Sequence, residues 1–548
     1  MPVQSARPAD TLTRRDFLWR VSRFGGAAVL GSMFALDLLG RDAGVMPPLG
    51  GRAPVGQGRR VLILGGGLSG LSTAYELGKL GYECVMLEAR ARPGGRNWTI
   101  RRGTEETEIG GGATGFPAGE RQMCKFDDGL FVNGGPMRIS HHHATTLGYC
   151  REFGIPLVVF PNINEAAYVH REGLPKMRLR EVEADLRGYT SELLAKVVKK
   201  GQLDAPLSAD DREKLIEYLR AEGRLDPDFN YPRTGGGRDD PSEFDNPRGY
   251  VSEPGVAEDS PRPTAPLDLE VLIKAGYGYA ARQAEIYTQQ PTMLTPAGGI
   301  DRIPYAFAER LGGVVRYRAE VREIRRAADG GVRVAYADAA QGGAVREATA
   351  DFCVCALPPA LLARLPADFS PEASAALQLM QPGAAGKIGL QFKRRFWEED
   401  DGIYGGVSRT NLPIGQIYYP FDNYGSKGKG VVLGYYNYGK EAADFGDQPP
   451  AGREKRALEQ GAKIHPQYPA EFENSFSIAW RRVPHSEMAW VEFNEEAHYD
   501  QVQRVLGRAD GPFYFAGDWR THMNAWMAGA FASAHQVCRD LHARANAG

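Results

Sequence analysis

The 548-residue sequence lacks the markers of several functional classes. Its six cysteines form no Cys-x-x-Cys pair and no zinc-ligand spacing, so we expect neither a zinc site nor a disulfide framework. A formal net charge of −2 gives no reason to expect a nucleic acid as partner. The chain also lacks the Gly-x-Ser-x-Gly turn that would present a catalytic serine, and we therefore do not expect Ser-His-Asp chemistry.

Histidines are few as well, and three of the ten are adjacent at residues 141–143. Neighbouring residues on a helix point in different directions, so this run does not predict a metal site. Apolar residues, in contrast, are plentiful: 43% of the chain is hydrophobic and 10% is aromatic. This composition and length predict large buried cores, divided between two or three domains.

A nucleotide-binding pattern occupies residues 61–88. The apolar strand 61–64 (VLIL) leads into the glycine motif 65–70 (GGGLSG), an amphipathic helix and a second apolar strand that ends at Glu88. This strand–helix–strand setting, with an acidic residue 18 positions beyond Gly70, is typical of a site for an adenine dinucleotide.

Each glycine of this motif has a physical role in such a site. Gly65 permits the tight turn, Gly67 lets a pyrophosphate approach the backbone, and Gly70 allows the helix to pack closely on the strand. The first N–H groups of the helix are free to bind phosphate oxygens. Glu88 can accept hydrogen bonds from a ribose diol.

The N-terminal residues 1–44 are predicted to be a targeting leader rather than part of the fold. Residues 13–18 (TRRDFL) resemble the twin-arginine export signal and precede a short, mildly apolar stretch. Asp37 and the shortness of that stretch argue against a transmembrane helix. The resemblance implies contact with the twin-arginine translocation machinery and a periplasmic or secreted protein. The alternative is a basic, disordered tail.

Residues 92–96 (RPGGR) distinguish between possible dinucleotides. A second glycine turn followed by an arginine, directly after the ribose-binding carboxylate, resembles the flavin amine oxidase superfamily. In that superfamily the arginine, here Arg96, approaches the FAD phosphates. The chain has no second Gly-x-Gly-x-x-Gly turn between a predicted strand and a predicted helix for a nicotinamide cofactor, because the glycines at 110–115 fall in a strand-and-loop region. It also has no cysteine at the position that links flavin covalently in monoamine oxidases. The resemblance therefore implies non-covalent FAD.

Residues 133–139 (NGGPMRI) narrow the resemblance to L-amino acid oxidases. In those enzymes a GPMR sequence lines the flavin and its arginine, here Arg138, binds the substrate α-carboxylate. A guanidinium suits this role because it offers two parallel N–H donors and stays charged when partly buried. The alternative is that Arg138 is an ordinary surface residue after a turn.

Two strands of the second half carry further candidates. Lys387, in the apolar strand 386–392 (GKIGLQF), resembles the superfamily lysine that holds a water against flavin N5. Tyr435, at the end of strand 430–435 (GVVLGY), resembles the tyrosine that donates the other hydrogen bond to the substrate carboxylate. Tyr436 and Tyr438 compete for that role. The alternatives are an edge-strand lysine and a core or edge-strand tyrosine.

The C-terminal residues resemble the closing flavin motif of the superfamily. Asp518 would bond the ribityl–phosphate region, Trp526 would form a wall of the substrate site, and the backbone of Ala525 would approach the substrate amine. The chain departs from the family in having Asp518 for the commoner Glu and Ala525 for a Gly. His485 also replaces a common Tyr, so these departures put the pocket shape in question.

The fold expected from these patterns is a mixed α/β fold with a Rossmann-like FAD-binding domain assembled from discontinuous segments. We assign residues 58–140, 291–365 and 508–545 to that domain, and residues 366–507 to a mixed-sheet substrate-binding domain. Residues 141–290 are predicted to form a helical insertion domain with a long loop at 224–266, because residues 180–223 show helical spacing of apolar residues.

The resemblance implies an FAD-dependent L-amino acid oxidase. Hydride transfer from the substrate Cα to flavin N5 would yield an imino acid, which water would hydrolyse to a 2-oxo acid and ammonia. O₂ would reoxidise the flavin and be reduced to hydrogen peroxide. Lys387 would be catalytic, and Arg138, Tyr435, Trp526 and Ala525 would bind substrate. The residues expected to bind FAD are Gly65, Gly67, Leu68, Ser69, Gly70, Glu88, Ala89, Arg90, Gly95, Arg96, Gly135, Pro136, Met137, Arg138, Val321, Gly517, Asp518, Trp526 and Met527.

Two other functions stay open from the sequence. One is a flavin monoamine or polyamine oxidase, or an amine dehydrogenase, which has no carboxylate to bind. The other is a non-catalytic FAD-binding partner protein. The resemblance also allows a homodimer, and it does not identify the preferred amino acid.

Overall fold

The computed structural model describes residues 56, 58–110, 117–202, 207–232, 246–252, 262–278 and 286–547. The predicted leader 1–44 with its export signal lies outside these residues, as do residues 233–245 and 253–261 of the predicted loop. Within the part of the chain that is described, no helix combines the length and the apolar character needed to cross a membrane.

The strands are, in chain order, β1 Arg60–Leu64, β2 Glu83–Glu88, β3 Thr99–Arg101, β4 Glu105–Thr107, β5 Arg121–Met123, β6 Phe131–Asn133, β7 Leu157–Pro161, β8 Tyr168–His170, β9 Met177–Arg178, β10 Tyr250–Ser252, β11 Arg262–Pro263, β12 Thr292–Pro296, β13 Val315–Tyr317, β14 Ala319–Arg326, β15 Val332–Asp338, β16 Ala344–Ala350, β17 Phe352–Cys355, β18 Gln381–Pro382, β19 Ala385–Phe392, β20 Val407–Thr410, β21 Gln416–Tyr418, β22 Gly430–Tyr438, β23 Phe472–Ala479, β24 Val491–Glu492 and β25 Phe513–Phe515.

The α-helices are α1 Leu68–Lys79, α2 Ala144–Glu152, α3 Leu179–Lys199, α4 Ala209–Gly223, α5 Leu269–Lys274, α6 Arg302–Leu311, α7 Pro359–Leu362, α8 Pro371–Gln378, α9 Phe396–Glu399, α10 Gly439–Gly446, α11 Pro450–Gly461, α12 Tyr468–Glu471, α13 Glu496–Leu506 and α14 Met527–Ala547.

A parallel five-stranded sheet of order β13-β2-β1-β17-β25 joins three distant parts of the chain. Both faces of β1 are buried: Val61 and Ile63 pack on one side with α1 and α14, and Leu62 and Leu64 pack on the other. Such two-sided burial explains why β1 is apolar from Val61 to Leu64. The prediction of a mixed α/β fold with a sheet assembled from discontinuous segments is confirmed, while the exact domain limits stay predictions.

A second, seven-stranded sheet of order β23-β19-β22-β21-β20-β8-β9 forms the other large layer. Strand β19, which lies between β23 and β22, is buried at every position from Ala385 to Phe392. One face packs on a cluster that includes Phe476 and Leu433, and the opposite face packs on a cluster that includes Trp397 and Tyr468. The mixed sheet expected within residues 366–507 is therefore present, extended by strands from elsewhere.

The segment 141–290 is less helical than predicted. Its long helices α3 and α4 lie close to the predicted positions. However, β8 and β9 pair with each other and β8 pairs with β20, so this segment completes the seven-stranded sheet. Strand β7 pairs with β12. Short strands of two to five residues leave little periodic signal, and pairing with distant partners provides most of their stability.

A β-bulge in β22 decides which side chains face each side of the seven-stranded sheet. Ile388 of β19 pairs with Tyr435, whereas the next residue, Gly389, pairs with Leu433, so Gly434 is an extra residue in β22. One extra residue moves every following side chain to the opposite face. A Cβ atom at Gly434 would lie 2.3 Å from Leu390 Cδ1, which leaves no room for a side chain at the bulge.

We predict that Gly434→Ala lowers the free energy of unfolding by roughly 1–3 kcal/mol, because overpacking at the bulge must displace Leu390. The urea-unfolding midpoint measures this effect. Gly428→Ala is the matched control, since its Cβ would meet no atom within 4 Å. Equal midpoints for the two variants would show that the bulge tolerates a side chain.

Candidate active site

The carboxyl ends of four parallel strands open into one cavity of about 360 Å³. The residues that follow β1, β17 and β25, together with the last residue of β2, line its walls. This edge of a parallel sheet is the usual ligand site of doubly wound folds. Its volume lies within the range of roughly 300–1,000 Å³ that is typical of small-molecule pockets.

Helix α1 points its N-terminus into this cavity. Gly67 is its N-cap, and no side chain caps the first turn or places an acidic group there. Leu68 and Ser69 of this turn line the cavity. An uncapped N-terminus retains free N–H donors and the positive end of the helix dipole, so it suits a phosphate group.

The glycines at this end leave space for a cofactor. A Cβ at Gly67 would meet no atom within 4 Å, and a Cβ at Gly95 would approach only the Cα of Gly67. At Gly70, in contrast, a Cβ would lie 2.0 Å from the carbonyl oxygen of Gly65. The Gly67–Gly95 gap fits a pyrophosphate, and Gly70 has the packing role that the motif predicts.

Glu88 lies at the bottom of this end of the cavity. Its carboxylate accepts hydrogen bonds from the backbone N–H groups of Gly66, at 2.7 Å, and of Arg90, at 2.8 Å. These two donors fix the side chain while it lines the cavity. Its position at the end of β2 agrees with the role of ribose acceptor that the sequence predicts.

An ion pair connects the first and last segments of the chain at the cavity. Arg96 donates a hydrogen bond to Asp518 Oδ1, and Asp518 Oδ2 accepts one from the backbone N–H of Ala525 at 2.9 Å. Ala525 has a left-handed backbone with φ of 66°, a conformation that favours glycine. Ala525 therefore adopts this turn at some cost in strain.

Lys387 lies where the seven-stranded sheet lines the cavity and is only 3% exposed. Its Nζ donates to the carbonyl oxygens of Asn133, at 3.2 Å, and of Gly135, and lies 4.3 Å from the centre of the Tyr436 ring. Burial, with a contribution from the charge of Arg138, lowers the pKa of this lysine well below its usual value. It is therefore a buried lysine of the site rather than an edge-strand residue.

Arg138 is buried, with 8% of its surface exposed, beside the same wall. Its Nη1 donates to the Tyr418 hydroxyl at 3.3 Å, and its Nε has no hydrogen-bond partner. Among the described residues, no carboxylate forms an ion pair with it. Although burial acts against the charged form, the surrounding tyrosines hold the pKa above its usual value, so the guanidinium stays charged. The alternative of a surface arginine is wrong.

The prediction that Tyr435 contacts the substrate is contradicted by its position. Its side chain is fully buried on the far face of the seven-stranded sheet, where it packs on Phe445 with ring centres 4.9 Å apart. Simple alternation from Val431 and Leu433 would put Tyr435 on the cavity face, but the bulge at Gly434 places Tyr436 there instead. The only sequence signal for this shift is the glycine within an apolar strand.

Most of the predicted site residues line the one cavity, and their roles toward a cofactor stay predictions. Those that line it are Gly65, Gly67, Leu68, Ser69, Glu88, Ala89, Arg90, Gly95, Arg96, Gly135, Pro136, Val321, Lys387, Gly517, Asp518, Ala525, Trp526 and Met527. Gly70, Met137, Arg138 and Tyr435 do not. Met137 instead packs in the core beside the seven-stranded sheet.

The cavity region around Lys387 also contains aromatic side chains that were not predicted as site residues. Trp480 and Trp490 line the cavity, and the Trp480 Nε1–H donates to the Gly134 carbonyl at 3.0 Å. His143 packs edge-on against Trp526, with ring centres 4.8 Å apart. Burial, followed by the neighbouring histidines, lowers the pKa of His143 to about 4, so this ring is neutral near pH 7.

We predict that Gly67→Ala lowers the flavin content of the purified protein, because the added methyl group projects into the cofactor gap. Its backbone has φ of −73°, so alanine fits without strain. The loss of cofactor affinity should be roughly 1–3 kcal/mol, measured as the ratio of flavin to protein absorbance. Gly78→Ala, an exposed position of the same helix, is the control. Equal flavin content in both variants would contradict the assignment of the gap.

Comparisons with known proteins agree with this geometry. The family of flavin containing amine oxidoreductases matches residues 68–542. The Bacillus subtilis (strain 168) protein YobN, provisionally named an L-amino-acid oxidase, is 26% identical over 88% of this chain and 95% of its own length. The L-amino-acid oxidase of Notechis scutatus scutatus is 25% identical over 88% and 87%. The wild-type structure of putrescine oxidase bound to putrescine matches the fold with a TM-score of 0.57 at 17% identity, covering 89% of this chain and 99% of that one. The chain belongs to the flavin-containing amine oxidoreductase family.

Proposed function

We propose that this protein is an FAD-dependent L-amino acid oxidase. It would convert an L-amino acid to the 2-oxo acid and ammonia, with O₂ as electron acceptor and hydrogen peroxide as product. The flavin family and the oxidase names of the relatives support this class of reaction. We further propose that FAD binds non-covalently and that the leader exports the folded protein by the twin-arginine route to the periplasm or beyond.

The observation that carries the proposal is the buried Arg138 guanidinium without a carboxylate partner among the described residues. A buried unpaired charge costs several kcal/mol unless a ligand neutralises it. An amino acid provides the missing carboxylate, whereas a plain amine would place a second positive charge beside the arginine. The charge of the site therefore favours an amino acid over an amine.

The neighbouring side chains suit the same substrate. Burial raises the pKa of Tyr436, so its hydroxyl stays protonated and can donate to the carboxylate that Arg138 binds. Because Tyr436 pairs directly with Lys387 across β22 and β19, the carboxylate would be held beside the lysine. Trp526 and the Ala525 backbone would enclose the amine end of the substrate.

Lys387 would position a water near the reacting atoms. Two N–H groups of the Lys387 side chain donate to the carbonyls of Asn133 and Gly135. The remaining position on Nζ, a lone pair in the neutral amine or a third N–H in the ammonium form, is left for a water or the substrate. The bound flavin would supply the two-electron acceptor, and the protein side chains would contribute mainly by orienting the substrate.

Anaerobic reduction of the bound flavin tests the proposal. Several standard L-amino acids should bleach the flavin absorbance, and the matched decarboxylated amines should not. Arg138→Met should lower kcat/KM for amino acids by roughly 10²-fold or more, since a charge-assisted pair is lost. Reduction by amines alone, unaffected by Arg138→Met, would instead indicate an amine oxidase or dehydrogenase. No reduction by either class would indicate a non-catalytic FAD-binding protein.

The two adjacent tyrosines of β22 provide a second, internally controlled prediction. Tyr436→Phe should raise KM for the amino acid roughly 5- to 10-fold, because one hydrogen bond to the carboxylate, worth about 1–1.5 kcal/mol, is lost. Tyr435→Phe, on the far face of the sheet, should leave KM unchanged. Steady-state kinetics of the two variants measures both values. A larger effect from Tyr435→Phe would reject the orientation that the bulge imposes.

A further inference from the structure

A second arginine shares the substrate face of the seven-stranded sheet. Arg409 lies in β20, two residues after Val407, which pairs directly with Tyr418 of β21. Residues two apart in a strand point to the same side, so Arg409 and Tyr418 are diagonal neighbours on one face. Tyr418 accepts the hydrogen bond from Arg138 and its ring lies 6.4 Å from that of Tyr436.

Four adjacent strands thus carry a continuous row of functional side chains. The row runs from Lys387 through Tyr436 and Tyr418 to Arg409, following the sheet order β19-β22-β21-β20. Arg138 reaches this row from outside the sheet, where its guanidinium lies 5.5 Å from the centre of the Tyr418 ring. Arg138 and Arg409 are therefore both neighbours of Tyr418, Arg138 from outside the sheet and Arg409 from the adjacent strand.

Arg409 resembles Arg138 in lacking a negatively charged neighbour. Within the described ranges, no ion pair or side-chain hydrogen bond involves Arg409, although it is partly buried. Burial lowers the pKa of its guanidinium, and the positive charge of Arg138 adds to this effect. Two like charges in one poorly solvated region are unfavourable unless a ligand brings more than one negative charge.

The far end of the row adjoins the segment 141–290. Arg409 pairs with Val169 of β8, and Val169 packs in a cluster with Val182 of α3 and Leu272 of α5. Arg409 therefore lies between the proposed carboxylate site and the inserted helices. With the α-carboxylate held by Arg138 and Tyr436, and the Cα near Lys387, the side chain of a substrate would extend toward Arg409.

We propose that Arg409 binds a second carboxylate, and that the preferred substrates are acidic L-amino acids such as L-glutamate or L-aspartate. Arg138 would take the α-carboxylate and Arg409 the side-chain carboxylate, so that two guanidinium groups meet two carboxylates. This inference rests on the proposed L-amino acid oxidase function and specifies its substrate class. The tyrosines between the two arginines would separate the carboxylates and exclude water from them.

The isosteric pair L-glutamate and L-glutamine tests this directly in the wild-type holoenzyme. They differ only in the charged group that Arg409 would recognise, so kcat/KM should be higher for L-glutamate than for L-glutamine. If the enzyme prefers the shorter side chain, kcat/KM should be higher for L-aspartate than for L-asparagine. The expected preference is about 10- to 100-fold, the range for a hydrogen-bonded ion pair lost with the charge. Arg409→Gln should reduce this ratio to near one, and Arg322→Gln, an exposed arginine of β14, should leave it unchanged.

Ligand binding without turnover gives a second readout that does not depend on the variant's activity. Glutarate should perturb the flavin spectrum at lower concentration than butyrate in the wild type, and Arg409→Gln should remove the difference. If neutral L-amino acids reduce the flavin and both acidic ones do not, the role of Arg409 is rejected while the oxidase function stands. If no L-amino acid reduces it, the proposed function itself fails. Equal binding of glutarate and butyrate would also overturn the assignment.

Discussion

Arg138 and Arg409 place two cationic side chains beside Lys387 on one side of the seven-stranded sheet, and among the described residues neither arginine forms an ion pair with a carboxylate. Tyrosine rings and backbone carbonyls surround them instead. Burying charge in this way opposes folding. The arrangement is explained if a ligand provides the carboxylate that the protein lacks at this site. An amino acid provides such a carboxylate and also the amine on which this family acts.

The rest of the fold holds this cationic region against a cofactor site. The five-stranded sheet is assembled from three distant segments, so the glycine turn after β1, the Glu88 carboxylate at the end of β2 and the segment after β25 meet only when these segments pair. The Arg96–Asp518 ion pair connects the two ends of that assembly, and Asp518 in turn fixes the Ala525 turn. The region at the end of the five-stranded sheet and the region around Lys387 therefore line one cavity.

Sequence reasoning succeeded where the signal is local. The glycine motif, the helix α1 and Glu88 follow β1 within a stretch of 28 residues. A tight turn, close helix packing and a carboxylate at the end of a strand each require the residue type found there. The long helices of the insertion also have enough turns to show their periodicity. Short motifs around Arg138 and Lys387 led to the prediction that both side chains belong to the site. The structure agrees in that both side chains are buried.

Sequence reasoning failed where strand pairing decides orientation. Alternation along β22 favours Tyr435, but an extra residue at Gly434 reverses the faces, and this bulge exists only because β19 pairs across it. Strands β8 and β9 are too short to predict without the pairing of β8 with β20 and of β9 with β8. Arg409 has no motif around it, and its significance comes only from the neighbouring strands that set it beside Tyr418.

The most direct measurement of the central claim is the binding of a carboxylate probe to the flavin-loaded protein. Benzoate and benzamide have nearly the same shape and differ in charge, so titration of each against the flavin absorbance isolates the contribution of the negative charge. Benzoate should bind saturably, Arg138→Met should abolish this binding, and benzamide should bind much more weakly. Equal affinity for the two probes, or benzoate binding that survives Arg138→Met, would contradict the claim.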